Sequence, residues 1–158
     1  MNAARVRGLA MALALALQGL ATAGEIVWAP TFELGMKKAK AKNLPVMVDL
    51  YTDWCGWCKR LDQDVYTNRE VKALAASDFV SIKLNPEKDK RNGKLFKVTG
   101  YPTIIFTDPS GKELHRIVGY LPAERFLGEM KKALDLFKEQ LKAKEAEKGA
   151  KAEDKKAE

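Results

Sequence analysis

The chain has 158 residues, 46% hydrophobic and 31% charged, which excludes a wholly disordered or fibrous protein and leaves room for one ordinary core. Two cysteines and one histidine cannot complete a four-ligand structural zinc site within one chain, so a closed zinc site is excluded. The net charge of +7 raises the question of an anionic partner, but its distribution weakens that idea, and no nucleic-acid partner is expected.

Arg5 and Arg7 precede an apolar run from Leu9 to Leu17, followed by Gln18, Gly19 and the small-residue sequence Ala21-Thr22-Ala23. A basic segment, an apolar segment and an A-x-A site in that order predict a signal peptide over residues 1–23, cleaved after Ala23. A spanning helix needs about 20 apolar residues, so an uncleaved anchor is the second reading of this short run. The expected location is the periplasm or the cell exterior, where disulfides are permitted. Without residues 1–23, the 28 cations lose two against 21 anions, leaving +5 over 135 residues, and charge says little about partners.

The first helix is expected over Thr31 to Lys42, with Phe32, Leu34 and Ala39 as its apolar residues. Pro45 to Tyr51 is a short apolar run bounded by proline and by Thr52-Asp53, and predicts a buried strand. Gly56 to Tyr66 predicts a helix, and Thr67-Asn68-Arg69-Glu70 a capping box that opens a second helix to Ala76. Phe79 to Leu84 is strand-like, Lys88 to Lys97 helical, and Thr103 to Thr107 rich in β-branched residues. Asp108-Pro109-Ser110-Gly111 supplies turn chemistry, so Glu113 to Val118 should return as a hairpin partner. His115 on that hairpin is expected at the surface, without a catalytic role. The last helix should begin at Pro122 and bury Phe126, Met130, Leu134, Phe137 and Leu141, which recur at spacings of three and four. Residues 142–158 are a mixed-sign tail with no large apolar side chain, expected as frayed helix or disorder. The domain is thus expected over residues 24–141.

Cys55-Gly56-Trp57-Cys58 follows a predicted strand and opens a predicted helix. Residues three apart on a helix share a face, within reach of disulfide geometry. A helix start aims free N–H groups and the positive end of the macrodipole at the first sulfur, which favours thiolate over thiol. The pair could also be a structural bridge or half of a metal site shared with a partner chain. A bridge closing so short a loop restricts the unfolded chain by only about 2 kcal/mol, so stability is a poor reason for the spacing, and redox work is preferred.

Val48-Asp49-Leu50-Tyr51-Thr52-Asp53-Trp54-Cys55-Gly56-Trp57-Cys58-Lys59 resembles the active-site segment of the thioredoxin family. Gly100-Tyr101-Pro102-Thr103 looks like the family's cis-proline loop, Lys83-Leu84-Asn85 like the end of its central strand, and Gly119 like the glycine before its last helix. The resemblance spans about Phe32 to Leu141, and among subgroups it is nearest to exported thioredoxin-like proteins and to the periplasmic C-terminal domain of membrane thiol:disulfide interchange reductases. It implies an α/β thioredoxin fold, a central mixed β-sheet flanked by helices.

The resemblance also implies roles for residues. Cys55 would attack a client disulfide and Cys58, shielded one turn further in, would resolve the mixed disulfide. Asp49 lies in an apolar strand, where a carboxylate is costly to bury, and should titrate high; the resemblance makes it general base toward Cys58. Lys83 matches a family lysine near that acid, a candidate proton-transfer neighbour. Trp54, Trp57, Tyr101 and Pro102 would contact substrate, the tryptophans as an apolar surface and the backbone of Tyr101 by strand addition if Pro102 is cis. Trp57 stands where the family usually has proline, and Gln63 where a helix-kinking proline is common. No cofactor or metal is implied. The expected function is thiol:disulfide exchange with client proteins bearing disulfides or oxidised thiols, as a monomer and as a reductant fed by a membrane thiol:disulfide reductase. An oxidase or isomerase of the same fold, or a client-binding module without catalysis, are the alternatives.

Overall fold

The computed structural model describes residues 24–157, with side chains to residue 151; the expected signal peptide and its cleavage after Ala23 lie outside the described residues. The elements in chain order are β1 (Trp28–Ala29), α1 (Phe32–Lys42), β2 (Val46–Leu50), α2 (Gly56–Asp64), α3 (Arg69–Asp78) and β3 (Val80–Leu84). They continue with α4 (Lys90–Gly93), a 3-10 turn (Lys94–Phe96), β4 (Thr103–Thr107), β5 (Glu113–Val118) and α5 (Ala123–Ala157).

The five strands form one sheet in the order β1-β3-β2-β4-β5. β1 and β2 run parallel to β3, while β4 is antiparallel to both β2 and β5. This is the mixed sheet flanked by helices that the sequence predicts. All of β2 is buried, because it is central and covered on both faces. Alternation along the strands separates two cores. Val46, Val48, Leu50, Ile82 and Ile105 pack with Ala39 of α1 and Phe96, while Met47, Ile104 and Phe106 pack with Leu61, Val71, Phe126 and Met130 from α2, α3 and α5. Asp49 is two residues along from Met47 and so shares the face that α2 covers.

Register places the functional segments. Leu50 pairs with Leu84 on one side and with Thr103 on the other, so the start of β4, and with it Tyr101-Pro102, is brought beside the end of β2. Asp49 and Lys83 are direct register partners. Gly35 in α1 allows the helix to lie close on β3: a Cβ there would meet Ile82 Cδ1 at 2.5 Å.

Several expectations are corrected. The helix expected over Lys88 to Lys97 forms as α4 (Lys90–Gly93) continued by the 3-10 turn (Lys94–Phe96); Asn85 Oδ1 accepts from Glu87 N–H and holds a turn before it, and the Asp89 carboxylate caps its start by accepting from Asn92 N–H. The cap of α3 is Asn68, whose Oδ1 accepts from the N–H groups of Glu70 and Val71, while the Thr67 hydroxyl donates back to the Gln63 carbonyl. α2 ends at Asp64, close to the end expected at about Tyr66, and Val65 N–H still bonds the Leu61 carbonyl. Leu34 is exposed; the buried face of α1 is Gly35 and Ala39. His115 is turned inward, stacked 6.1 Å from Phe106 and hydrogen-bonded to Glu129.

α5 begins after Pro122 and runs as helix through Ala157. Its inner turns are held by the β4–β5 turn. Asp108, buried, accepts from Ser110 and Lys112 N–H groups on Oδ1 and from Gln140 Nε2 at 2.6 Å on Oδ2, with the Lys144 ammonium at 3.4 Å. Burial opposes its charge, but these hydrogen bonds win and hold the carboxyl down at about 2.

Candidate active site

The loop after β2 ends on Cys55, which is the N-cap of α2: its Sγ accepts a hydrogen bond from Cys58 N–H at 3.1 Å. No acidic side chain occupies the first turn of α2, so no carboxylate of that turn offsets the positive end of the helix at the sulfur. Cys55 and Cys58 are joined by a disulfide with their Cα atoms 5.3 Å apart. Both are nearly buried in this bonded state, so the shielding expected for Cys58 extends equally to Cys55.

Two aromatic pairs flank the bridge. Trp54 is 68% exposed, donates from Nε1 to Glu87 Oε1 at 3.0 Å, and meets the Tyr101 ring edge-on at 6.0 Å. Trp57 is 56% exposed and lies 5.5 Å from Tyr120, with the Arg60 guanidinium over both rings at 5.9 and 5.8 Å. The Tyr101-Pro102 bond is cis, and the Pro102 carbonyl accepts from Gly119 N–H at 2.8 Å. Gly119 has φ 87°, a conformation that glycine adopts without strain, so the loop before α5 can close on the proline loop.

The face of β2 and β3 that α2 covers carries a charged cluster. Lys83 Nζ is 3.2 Å from Asp49 Oδ2 and 2.5 Å from Asp62 Oδ1. The same ammonium sits 5.0 Å from the Tyr51 ring, 5.2 Å from Trp28 and 5.5 Å from Tyr66, an aromatic cage of the kind that stabilises a partly desolvated cation. Burial pushes the Asp49 carboxyl up from 3.8 to about 6, and the Lys83 charge keeps it from rising further. Burial also opposes the Lys83 charge, yet Asp49 and Asp62 outweigh it and hold its pKa above the ordinary value.

The structure thus brings Cys55, Cys58, Trp54, Trp57, Tyr101 and Pro102 to the end of the sheet where β2 finishes, with Asp49 and Lys83 paired within β2 and β3. Sequence reasoning missed Asp62, Tyr66, Trp28, Tyr51, Tyr120 and Arg60. Asp62 had a signal, since it stands four residues after Cys58 on the same helix face; the aromatic cage had none, because its three rings come from β1 and from two separate loops. A cleft of about 770 Å³ between α1 and the β4–β5 hairpin is lined by Phe32, Met36, Leu95 and Phe96 and contains none of these site residues.

A sheet of this order, with a bonded Cys-x-x-Cys pair at the first turn of the helix that follows its central strand, is the arrangement of a thiol:disulfide oxidoreductase. A family model described as the thioredoxin-like domain matches residues 32–134, more than half of the chain, and the chain belongs to that family. It is 38% identical over 100 residues to the thiol:disulfide interchange protein DsbD of Actinobacillus pleuropneumoniae, a match covering 60% of this chain and 17% of that protein. The matched stretch therefore spans less than a fifth of the length of that relative. Among solved structures, the DsbH oxidoreductase superposes with a TM-score of 0.64 at 23% identity, covering 73% of this chain and 88% of the other. The reduced C-terminal domain of Neisseria meningitidis DsbD superposes with a TM-score of 0.53 at 21% identity, covering 63% and 90%. These two likenesses concern the fold.

Proposed function

We propose that the chain is an exported reductant of client-protein disulfides. The observation that carries this reading is the bonded pair itself, with Cys55 capping α2 and accepting a backbone N–H from Cys58. In the reduced protein the same cap stabilises a Cys55 thiolate, which attacks one sulfur of a client disulfide and expels the other as thiolate. Cys58 then gives its proton to the Asp49 carboxylate and attacks Cys55 Sγ; the client leaves as its second thiolate, and two electrons have passed to it. The protein is left with the bridge described above. An external dithiol must reset it, and a membrane thiol:disulfide reductase is the proposed donor. Trp54, Trp57, Tyr101 and Pro102 supply the contact surface, and the Tyr101 backbone offers an edge to an extended client segment. Export rests on the basic, apolar and small-residue order of residues 1–23.

The test is disulfide reduction of insulin by the wild type and by Cys55→Ser. The variant should lose essentially all activity, and equal rates reject the mechanism. Equilibration with glutathione decides direction: a potential near about −270 mV supports the reductant, and one near about −120 mV supports an oxidase instead.

A further inference from the structure

Among the buried side-chain atoms without a hydrogen-bond partner are Asp49 Oδ1 and the Tyr66 hydroxyl. They flank one ammonium: Lys83 Nζ contacts Asp49 through Oδ2 and lies over the Tyr66 ring. Buried polar groups are rarely left unpaired, and here a donor and an acceptor lie within one cluster. The Tyr66 ring is held from two sides, by Trp28 at 5.1 Å and by Phe126 at 5.7 Å, so little freedom remains to carry its hydroxyl elsewhere.

We propose that the Tyr66 hydroxyl donates a hydrogen bond to ionised Asp49 Oδ1, which makes Tyr66 a positioning residue that sets the pH at which Asp49 can take the Cys58 proton. The functional half of this statement rests on Asp49 acting as the base in the exchange proposed above. Lys83 occupies only Oδ2, so the second oxygen needs a donor of its own once it carries charge. Burial and the nearby Asp49 and Asp62 carboxylates push the Tyr66 phenol well above its usual range, so it stays protonated and can only donate to a carboxylate. The groups facing Asp49 are Lys83 from β3, Asp62 from α2 and Tyr66 from the segment after α2; its register partner on β4 is Ile104, which does not titrate.

In the transfer, the Cys58 S–H bond breaks, the proton goes to the carboxylate, and the sulfur's electron pair forms the bond to Cys55 Sγ while the client thiolate leaves. Protonation removes the charge that the Tyr66 hydroxyl stabilises, so the hydroxyl favours the base form. Deleting it should favour the acid form.

The experiment is a ¹³C titration of the Asp49 side-chain carboxyl in the oxidised full chain, wild type against Tyr66→Phe. Phenylalanine keeps the ring contacts and removes only the hydroxyl. The midpoint should rise by about one pH unit in the variant, since a hydrogen bond to a charged acceptor has roughly that worth. A midpoint that stays or falls overturns the proposal. The Tyr66 Cζ resonance of the wild type supplies a second reading that needs no folded variant: it should inflect at the Asp49 midpoint, and a flat trace is equally fatal. Asp49→Asn separates the two ideas. If that variant resolves mixed disulfides at the wild-type rate, Asp49 is not the base, while the carboxyl titration still decides whether Tyr66 bonds it.

Discussion

The Lys83 ammonium stands between a buried carboxylate and an exposed one, 3.2 Å from Asp49 and 2.5 Å from Asp62. Parallel pairing of β2 with β3 makes Asp49 and Lys83 neighbours, and α2 lays Asp62 across the outer side of the ammonium. A cation so placed decides how far burial can push the acid.

Replacement of Lys83 by methionine keeps the packing inside the ring cage and removes the charge. Asp49, already pushed up to about 6, should then titrate higher still, by one pH unit or more in order of magnitude. Carboxyl titration of the oxidised protein checks this, and a midpoint at or below the wild-type value refutes the role given to Lys83.

Asp49 also links stability to pH, and the sign follows from its raised pKa. Below about 3.8 the carboxyl is protonated whether the chain is folded or not, so its burial carries no ionic cost. Between 3.8 and about 6 the unfolded chain ionises first, and stability falls as pH rises through that window. At about 1.36 kcal/mol per pH unit, the full cost above the window is at most about 3 kcal/mol. Asp49→Asn should therefore be more stable than the wild type at pH 7 and lose that advantage at pH 3, as denaturant midpoints would show. The same variant should resolve mixed disulfides at least about tenfold more slowly at neutral pH, a conservative share of what general base catalysis supplies.

Asp108 works in the opposite sense. Its carboxyl is held at about 2 in the folded chain, so the stability it contributes is present above its ordinary value of 3.8 and is lost as pH falls toward 2. Asp108→Ala leaves the Ser110 and Lys112 N–H groups of the β4–β5 turn and the Gln140 amide without their acceptor, and should cost on the order of 2 kcal/mol. Hydrogen exchange should quicken at Ser110, Lys112 and around Gln140 before it does in β2 or β3; uniform loss of protection across the sheet would contradict the local account.

Sequence patterning was sufficient wherever one short segment carries its own physical cause. The apolar run of β2, the β-branched run of β4, the turn at Asp108 to Gly111 and the three-and-four spacing in α5 each encode a local preference, and Cys55-Gly56-Trp57-Cys58 encodes reach across one helical turn. Local pattern failed where competing hydrogen bonds or distant partners decide. Asn68 outcompetes Thr67 for the cap, and Asn85 holds a turn that delays the start of α4 to Lys90. β1, only two residues long, exists because β3 offers it an edge. The cage around Lys83, the two tyrosines paired with Trp54 and Trp57, and the orphaned oxygens of Asp49 and Tyr66 come from segments far apart in the chain. Periodicity reports which face of an element is buried; which charges and rings then meet depends on strand order and register, and only the folded sheet settles those.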